Sequence, residues 1–216
     1  MEEEKYVSIK QLERFPIYLK YLISMRDYGI SNISSPIVAK ALGFSEEQVR
    51  KDLQIVSKCE GKPKSGRDIN ELIKDIENFL GYNNTSDAII VGVGHLGEAF
   101  MRYGGFSSFG LNILAGFDVD ESKIGQEING KKVFDVKRIE NLVPRLNVHI
   151  AIITTPSEVS QSIVDTLVAS GIKAIWNFAP VHLNVPKEVV LENVNLASSL
   201  AILSHKLKLK LEKEKK

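Results

Sequence analysis

Three glycines, Gly92, Gly94 and Gly97, follow directly on the apolar run Ala88-Ile89-Ile90-Val91. A glycine-rich turn between a buried strand and a helix lets backbone N–H groups approach a phosphate, because no Cβ stands in the way. In Gly92-Val93-Gly94-His95-Leu96-Gly97 each glycine has its own task. Gly92 permits the tight turn, Gly94 lets the backbone approach a pyrophosphate, and Gly97 lets helix and strand pack closely. Asp118 lies 21 residues past Gly97, at the end of the next apolar run, Asn112 to Phe117. A carboxylate there accepts from ribose hydroxyls and repels a 2′-phosphate, which favours NAD over NADP. Val119 follows it, and Lys123 is near enough to temper that preference.

Two later segments end strands at the same edge. Thr154-Thr155-Pro156-Ser157-Glu158 closes the run Val148 to Ile153 and reads as a capping box from Thr155 to Glu158, with Pro156 first in the helix. Asn177-Phe178-Ala179-Pro180 closes the run Lys173 to Phe178. Thr154, Thr155, Pro156, Asn177 and Phe178 therefore join the candidate cofactor residues, with ordinary turn chemistry as the alternative. No metal site is expected. Hydride chemistry needs a general acid or base, and the four histidines serve poorly. His95 is inside the phosphate loop, His149 within a strand and His205 on the terminal helix. His182 is the one plausible candidate and lacks a partnering acid.

A second kind of chemistry lies upstream. Pro16 to Tyr28 reads as a helix stopped by Gly29. Ser35 reads as an N-cap with Pro36 first in a short helix that ends at Leu42-Gly43. Ser45 caps again, with Gln48 three positions on completing a capping box. Two helices joined by a tight glycine turn make a helix-turn-helix. In the second helix Val49, Leu53 and Val56 point inward, leaving Glu47, Arg50, Lys51, Gln54 and Lys58 outside. Arg and Gln suit base edges and Lys suits phosphates. The basic turn Gly61-Lys62-Pro63-Lys64-Ser65-Gly66-Arg67 fits a wing that contacts phosphates through Lys62, Lys64 and Arg67. The alternative is a solvated basic helix in a helical cap domain.

From Asp87 onward apolar strands alternate with helices, which indicates a parallel, doubly wound α/β sheet of Rossmann type. The expected division is a winged helix-turn-helix domain over 1–82, a Rossmann domain over 83–195, and a terminal helix with a charged tail over 196–216. The 216 residues suit two modest domains. Net charge is +1, so any DNA-binding charge must be local. The acidic start Met1-Glu2-Glu3-Glu4 is not a secretory signal, and no apolar run approaches a membrane span. One cysteine, Cys59, excludes an internal disulfide and fits a reducing cytoplasm.

Together these residues resemble the Rex family of redox-sensing transcriptional repressors. The resemblance rests on Gln48-Val49-Arg50-Lys51-Asp52-Leu53, Gly92 to Gly97, Phe117-Asp118-Val119-Asp120, Lys123-Ile124-Gly125, Asn177-Phe178-Ala179-Pro180 and Leu183-Asn184-Val185-Pro186. It implies a homodimer on a palindromic operator, with NAD+ or no cofactor permitting DNA binding and NADH releasing it. It also implies a carboxyl-terminal helix swapped into the partner. The stripe Leu196, Leu200, Leu203, Leu207 and Leu211 suits such a seam, or equally a helix packed on its own domain. Tyr103 matches a family tyrosine near the nicotinamide. Two departures stand out. The family's Ser-Tyr-Phe-Gly stretch is replaced by Gln54-Ile55-Val56-Ser57 and Lys58-Cys59-Glu60, which bears on the operator sequence. An arginine and an aspartate that couple cofactor state to head position are replaced by Lys20 and Asn195, which cannot form a bidentate ion pair. That replacement implies weaker or differently wired release by NADH.

Three other readings compete: an NAD-dependent dehydrogenase, a DNA-binding sensor of CoA or another adenine nucleotide, and a thiol switch at Cys59.

Overall fold

The computed structural model describes residues 7–57, 66–83 and 86–214. The chain forms two compact units, Met1–Asn84 and Thr85–Lys216.

In the first unit, α1 (Ile9–Leu12), α2 (Phe15–Asp27), α3 (Ser35–Leu42), α4 (Glu46–Val56) and α5 (Ile69–Leu80) enclose one apolar core. α2 buries Phe15, Tyr18, Leu19 and Leu22, the spacing of a single helical face. The cap of α3 is Ser34 rather than Ser35: Ser34 has the extended conformation, and Ser35 is a buried first helical residue. Pro36 tolerates this shift because the first helical N–H groups need no partner within the helix. Gly43 ends α3 in the left-handed region, at φ 71°. Ser45 Oγ then accepts from the Gln48 N–H at 3.2 Å, the hydroxyl half of the expected box. α3, this turn and α4 form the helix-turn-helix.

Pattern reading misses α5, although its signals are present. The Asp68 carboxylate accepts from the N–H groups of Asn70 (2.8 Å) and Glu71 (3.0 Å), and the left-handed Gly81 closes the far end. Ile69, Leu72, Ile73 and Ile76 complete the core. Before α5, β1 (Asn32–Ile33) and β2 (Arg67–Asp68) pair antiparallel, at the base of the expected wing. Lys58, Cys59, Lys62 and Lys64 lie outside the described residues.

The second unit holds β3 (Ser86–Val91), β4 (Leu111–Asp118), β5 (Glu127–Ile128), β6 (Lys131–Asp135), β7 (Ile150–Ile153), β8 (Ala174–Asn177) and β9 (Val190–Asn193). The sheet order is β5-β6-β4-β3-β7-β8-β9, parallel except at β5. Alternate residues of β3 enter different cores. Ile89 and Val91 join Phe117, Val143 and Val164 under α7 (Ile139–Leu146) and α8 (Ser157–Ala169). Ile90 joins Val93 and Met101 on the face of α6 (His95–Arg102). Strands buried on both faces explain their unbroken apolar runs. β7 starts later than Val148 because Asn147 ends α7 in the left-handed region. His149 precedes that strand and is exposed. α7 is also missed by pattern reading, since Pro144 interrupts its helical signal. The chain ends in α9 (Leu196–Glu214), every residue of which is exposed.

Candidate functional site

Strand order reverses between β3 and β7, so a crevice opens at their carboxyl ends. Gly92 crosses it with φ 95°, and a Cβ there would stand 2.8 Å from the Thr154 carbonyl carbon. Thr154 secures the turn: its Oγ1 donates to the Gly92 carbonyl at 2.6 Å and its N–H to Val91 O at 2.9 Å. A Cβ on Gly97 would collide with the Gly92 carbonyl oxygen. Gly94 differs from both. It is exposed, with nothing within 4 Å of an added Cβ. It caps α6 without any side-chain bond, so the leading N–H groups and positive end of the helix face open space. That is an anion cradle.

Asp118 does more than sequence reasoning assigned to it. Its Oδ2 accepts from the Val93 N–H at 2.6 Å, and its Oδ1 from the N–H groups of Val119 (2.8 Å) and Asp120 (3.0 Å). The carboxylate thus ties the glycine turn to the end of β4. About four lone-pair positions exist on a carboxylate, so roughly one remains for a ribose hydroxyl. Lys123 Nζ stands 3.7 Å from both Asp118 and Asp120. Hydrogen bonds from Ser122, then the charge of Lys123, hold the Asp120 carboxyl below its ordinary range.

A cavity of about 450 Å³ occupies the crevice. Of the expected residues it is lined by Gly92, Gly94, Leu96, Asp118, Val119, Lys123, Thr154, Thr155, Pro156 and Phe178. Pro180, from the turn after β8 already singled out, lines it too, as do Val136, Val159 and Ile163, which were not anticipated. These three are apolar residues with no motif of their own, and only the fold brings them there. Val93, His95, Gly97, Tyr103 and Asn177 do not line it. Val93 is buried, and its backbone serves Asp118. Asn177 is buried and organises the turn after β8: its amide donates to Val181 O and Asn193 Oδ1 and accepts from the Ala179 N–H. The capping box expected at Thr155 is not formed. Thr155 is buried and its hydroxyl pairs with Ser160 Oγ at 2.9 Å, while Pro156 takes the cap position.

The side of α6 that carries Leu96, Ala99 and Tyr103 is exposed, and Gly97 and Met101 are the residues it buries. Phe100, Phe106, Trp176 and Phe178 form a half-buried aromatic cluster beside it, with Tyr103 edge-on to Phe106 at 5.0 Å.

In the first unit α4 presents Glu47, Arg50, Lys51 and Gln54 to solvent, with Ser45 exposed at its start and Gln48 half-buried. Glu47 and Lys51 pair at 2.7 Å. Arg67 is half-buried on β2 and its Nε has no hydrogen-bond partner. On the hidden side of α4 is Asp52, to which the motif reading gave no role. It is 1% exposed and receives Arg14 Nε (2.6 Å), Arg14 Nη2 (2.8 Å), Tyr18 Oη (2.8 Å) and Gln11 Nε2 (3.3 Å). Asn195 Oδ1 accepts from the Ser198 N–H at 3.0 Å at the start of α9, and Lys20 is exposed on α2.

A Rossmann crevice with an anion cradle, carried with a helix-turn-helix head, defines a ligand-responsive transcription regulator. Residues 83–181 match the family model "CoA binding domain", and residues 6–54 match "Putative DNA-binding protein N-terminus". The redox-sensing transcriptional repressor Rex of Bacteroides fragilis is 38% identical over 91% of this chain and 89% of its own. That of Clostridium botulinum is 36% identical over 94% and 97%. A crystal structure of RSP, a Rex-family repressor, superposes with a TM-score of 0.87 at 33% identity, covering 98% of this chain and 99% of RSP. RSP with β-NAD+ and operator DNA gives 0.89, covering 98% and 97%, and RSP with β-NADH gives 0.86, covering 99% and 100%, both at 34% identity. The chain belongs to the Rex family of redox-sensing transcriptional repressors. It is a regulator rather than an enzyme.

Proposed function

We propose that this protein is a cytoplasmic homodimer that binds a palindromic operator and releases it when NADH occupies the crevice. The observation that carries the reading is the cavity bounded by the Gly92–Gly97 turn, Asp118 and Thr154. Its donors suit a diphosphate and its carboxylate suits an unphosphorylated ribose, as the NAD+ and NADH complexes of RSP would lead one to expect. The bound nicotinamide supplies the redox information. This chain's residues hold the diphosphate at α6 and the ribose at Asp118, with Val119 and Lys123 beside it. Head contacts fall to Ser45, Glu47, Gln48, Arg50, Lys51 and Gln54 of α4 and its cap, and, by their place in the sequence alone, to Lys58 and to Lys62, Lys64 and Arg67 of the expected wing.

Two unpaired surfaces support the dimer. α9 exposes Leu196, Leu200, Leu203, Leu207 and Leu211, while the α6 face of the sheet leaves its aromatic cluster half-covered. A helix without a face and a face short of a helix are satisfied by exchange between two chains. The domain division is then 1–82, 83–195 and 196–216. No described helix is long and apolar enough to cross a membrane.

The size of the response is set by the difference in affinity for NADH between DNA-bound and DNA-free forms. Calorimetric titration of NADH, NAD+ and CoA, each with and without a duplex selected by the protein, tests the reading. Micromolar NADH binding that weakens on adding duplex is expected. Binding of CoA in preference to both dinucleotides would overturn it.

A further inference from the structure

We infer that Asp52 is the positioning residue of the DNA-reading helix, holding its rotation through a polar key with Arg14, Tyr18 and Gln11. The inference rests on the reading of α4 as the DNA-contacting helix. Val49, Leu53 and Val56 bury one narrow apolar stripe. Hydrophobic packing is non-directional, so a stripe of this kind resists removal of the helix more than it resists a small roll about its axis. Reading base edges tolerates little roll, since a side chain must be held to within about 0.5 Å and 10–20°.

Asp52 supplies the missing directionality. Arg14 donates from Nε and Nη2 to separate carboxylate oxygens, and Tyr18 donates to Oδ2. A planar acceptor meeting a planar fork restricts angle as well as distance. The donors come from α1 and from α2 with the residue at its start, while the acceptor comes from α4, so three elements meet on one carboxylate. Position on the helix makes this consequential. At about 100° per residue, Arg50 and Gln54 each lie roughly 160° from Asp52, on either side. They project diametrically away from the key, so any rotation it prevents is one that would swing both readers together. Replacing a buried ion pair by apolar residues is commonly neutral or stabilising, which separates a role in position from a role in stability.

The test uses the full-length protein and two probes: a duplex that the wild type selects from a random-sequence library, and a scrambled duplex of equal length. The triple variant Arg14→Met, Tyr18→Phe, Asp52→Leu is expected to melt no lower than the wild type and to bind NADH unchanged. Its preference for the selected duplex should fall by about tenfold or more, the scale of one lost base contact, with scrambled-duplex affinity and its salt dependence retained. Tyr18→Phe alone keeps the ring packing and should lower the preference by a smaller factor. A folded triple variant with full preference overturns the inference. Should the triple variant not fold, a Tyr18→Phe protein with wild-type preference overturns it as well. Failure of the wild type to select any sequence would instead refute the DNA-reading assignment of α4.

Discussion

At the scale of single residues, the glycines of the turn separate structure from binding. Gly97→Ala must push a methyl against the Gly92 carbonyl oxygen, so α6 has to move and both stability and cofactor affinity should fall. Gly94→Ala meets nothing in the protein. We expect a melting temperature within about 2 °C of wild type, as for surface substitutions generally, and NADH affinity reduced about tenfold or more by steric exclusion of the diphosphate. Equal NADH affinity in Gly94→Ala, measured calorimetrically, would remove the diphosphate from that position. Asp118→Ala leaves three backbone N–H groups without their acceptor, the Val93 N–H in a buried setting. A loss of about 1–3 kcal/mol in denaturant unfolding is expected, alongside weaker NADH binding. The second effect has two sources, since the same carboxylate faces the ribose and shapes the turn.

Elements add effects that no single residue carries. α4 is held to α2 through Asp52, whose carboxyl responds to two opposed influences. Burial alone would raise its pKa, but hydrogen bonds from Arg14, Tyr18 and Gln11, with the charge of Arg14, outweigh it and leave it below the ordinary value of 3.8. A group depressed in the folded state takes its proton more readily when unfolded. Its stabilisation is complete above the unfolded value and is lost as pH falls through the folded value. Circular dichroism of the helical unit should therefore show stability declining below about pH 4. Asp52→Leu together with Arg14→Met should flatten that decline, and an unchanged acid limb would contradict the assignment. Asp52→Ala alone strands the Arg14 guanidinium and should cost about 3–5 kcal/mol.

For the whole molecule the decisive element is α9, a 19-residue helix with no buried residue. Truncation after Asn195 should leave a monomer in sedimentation experiments and cut affinity for a two-site operator by about a hundredfold or more, since the second head then gains nothing from the first. A dimeric truncation product would reject the exchange of helices. Coupling between sites is reciprocal in free energy. If Lys20 and Asn195 weaken it, Lys20→Arg with Asn195→Asp should steepen the loss of operator binding with NADH. Asn195 caps α9, and aspartate serves equally as a cap, so the change leaves the helix intact. An unaltered NADH dependence would show that these positions do not carry the coupling.

Local chemistry was legible along the chain itself: glycine spacing, caps and apolar runs act between near neighbours, and they marked the helix-turn-helix, the phosphate turn and the strand ends. α5 and α7 escaped because their signals are ordinary or interrupted, as Pro144 interrupts the second. The roles of Asp52, Asp118, Asn177 and Thr155 were decided only in three dimensions. Each is a polar group whose partners include residues brought to it by a turn or by another element, and the direction of a side chain depends on burial that no spacing rule contains. The apolar lining of the crevice, Val136, Val159 and Ile163, has the same origin, since a wall exists only where folded segments converge.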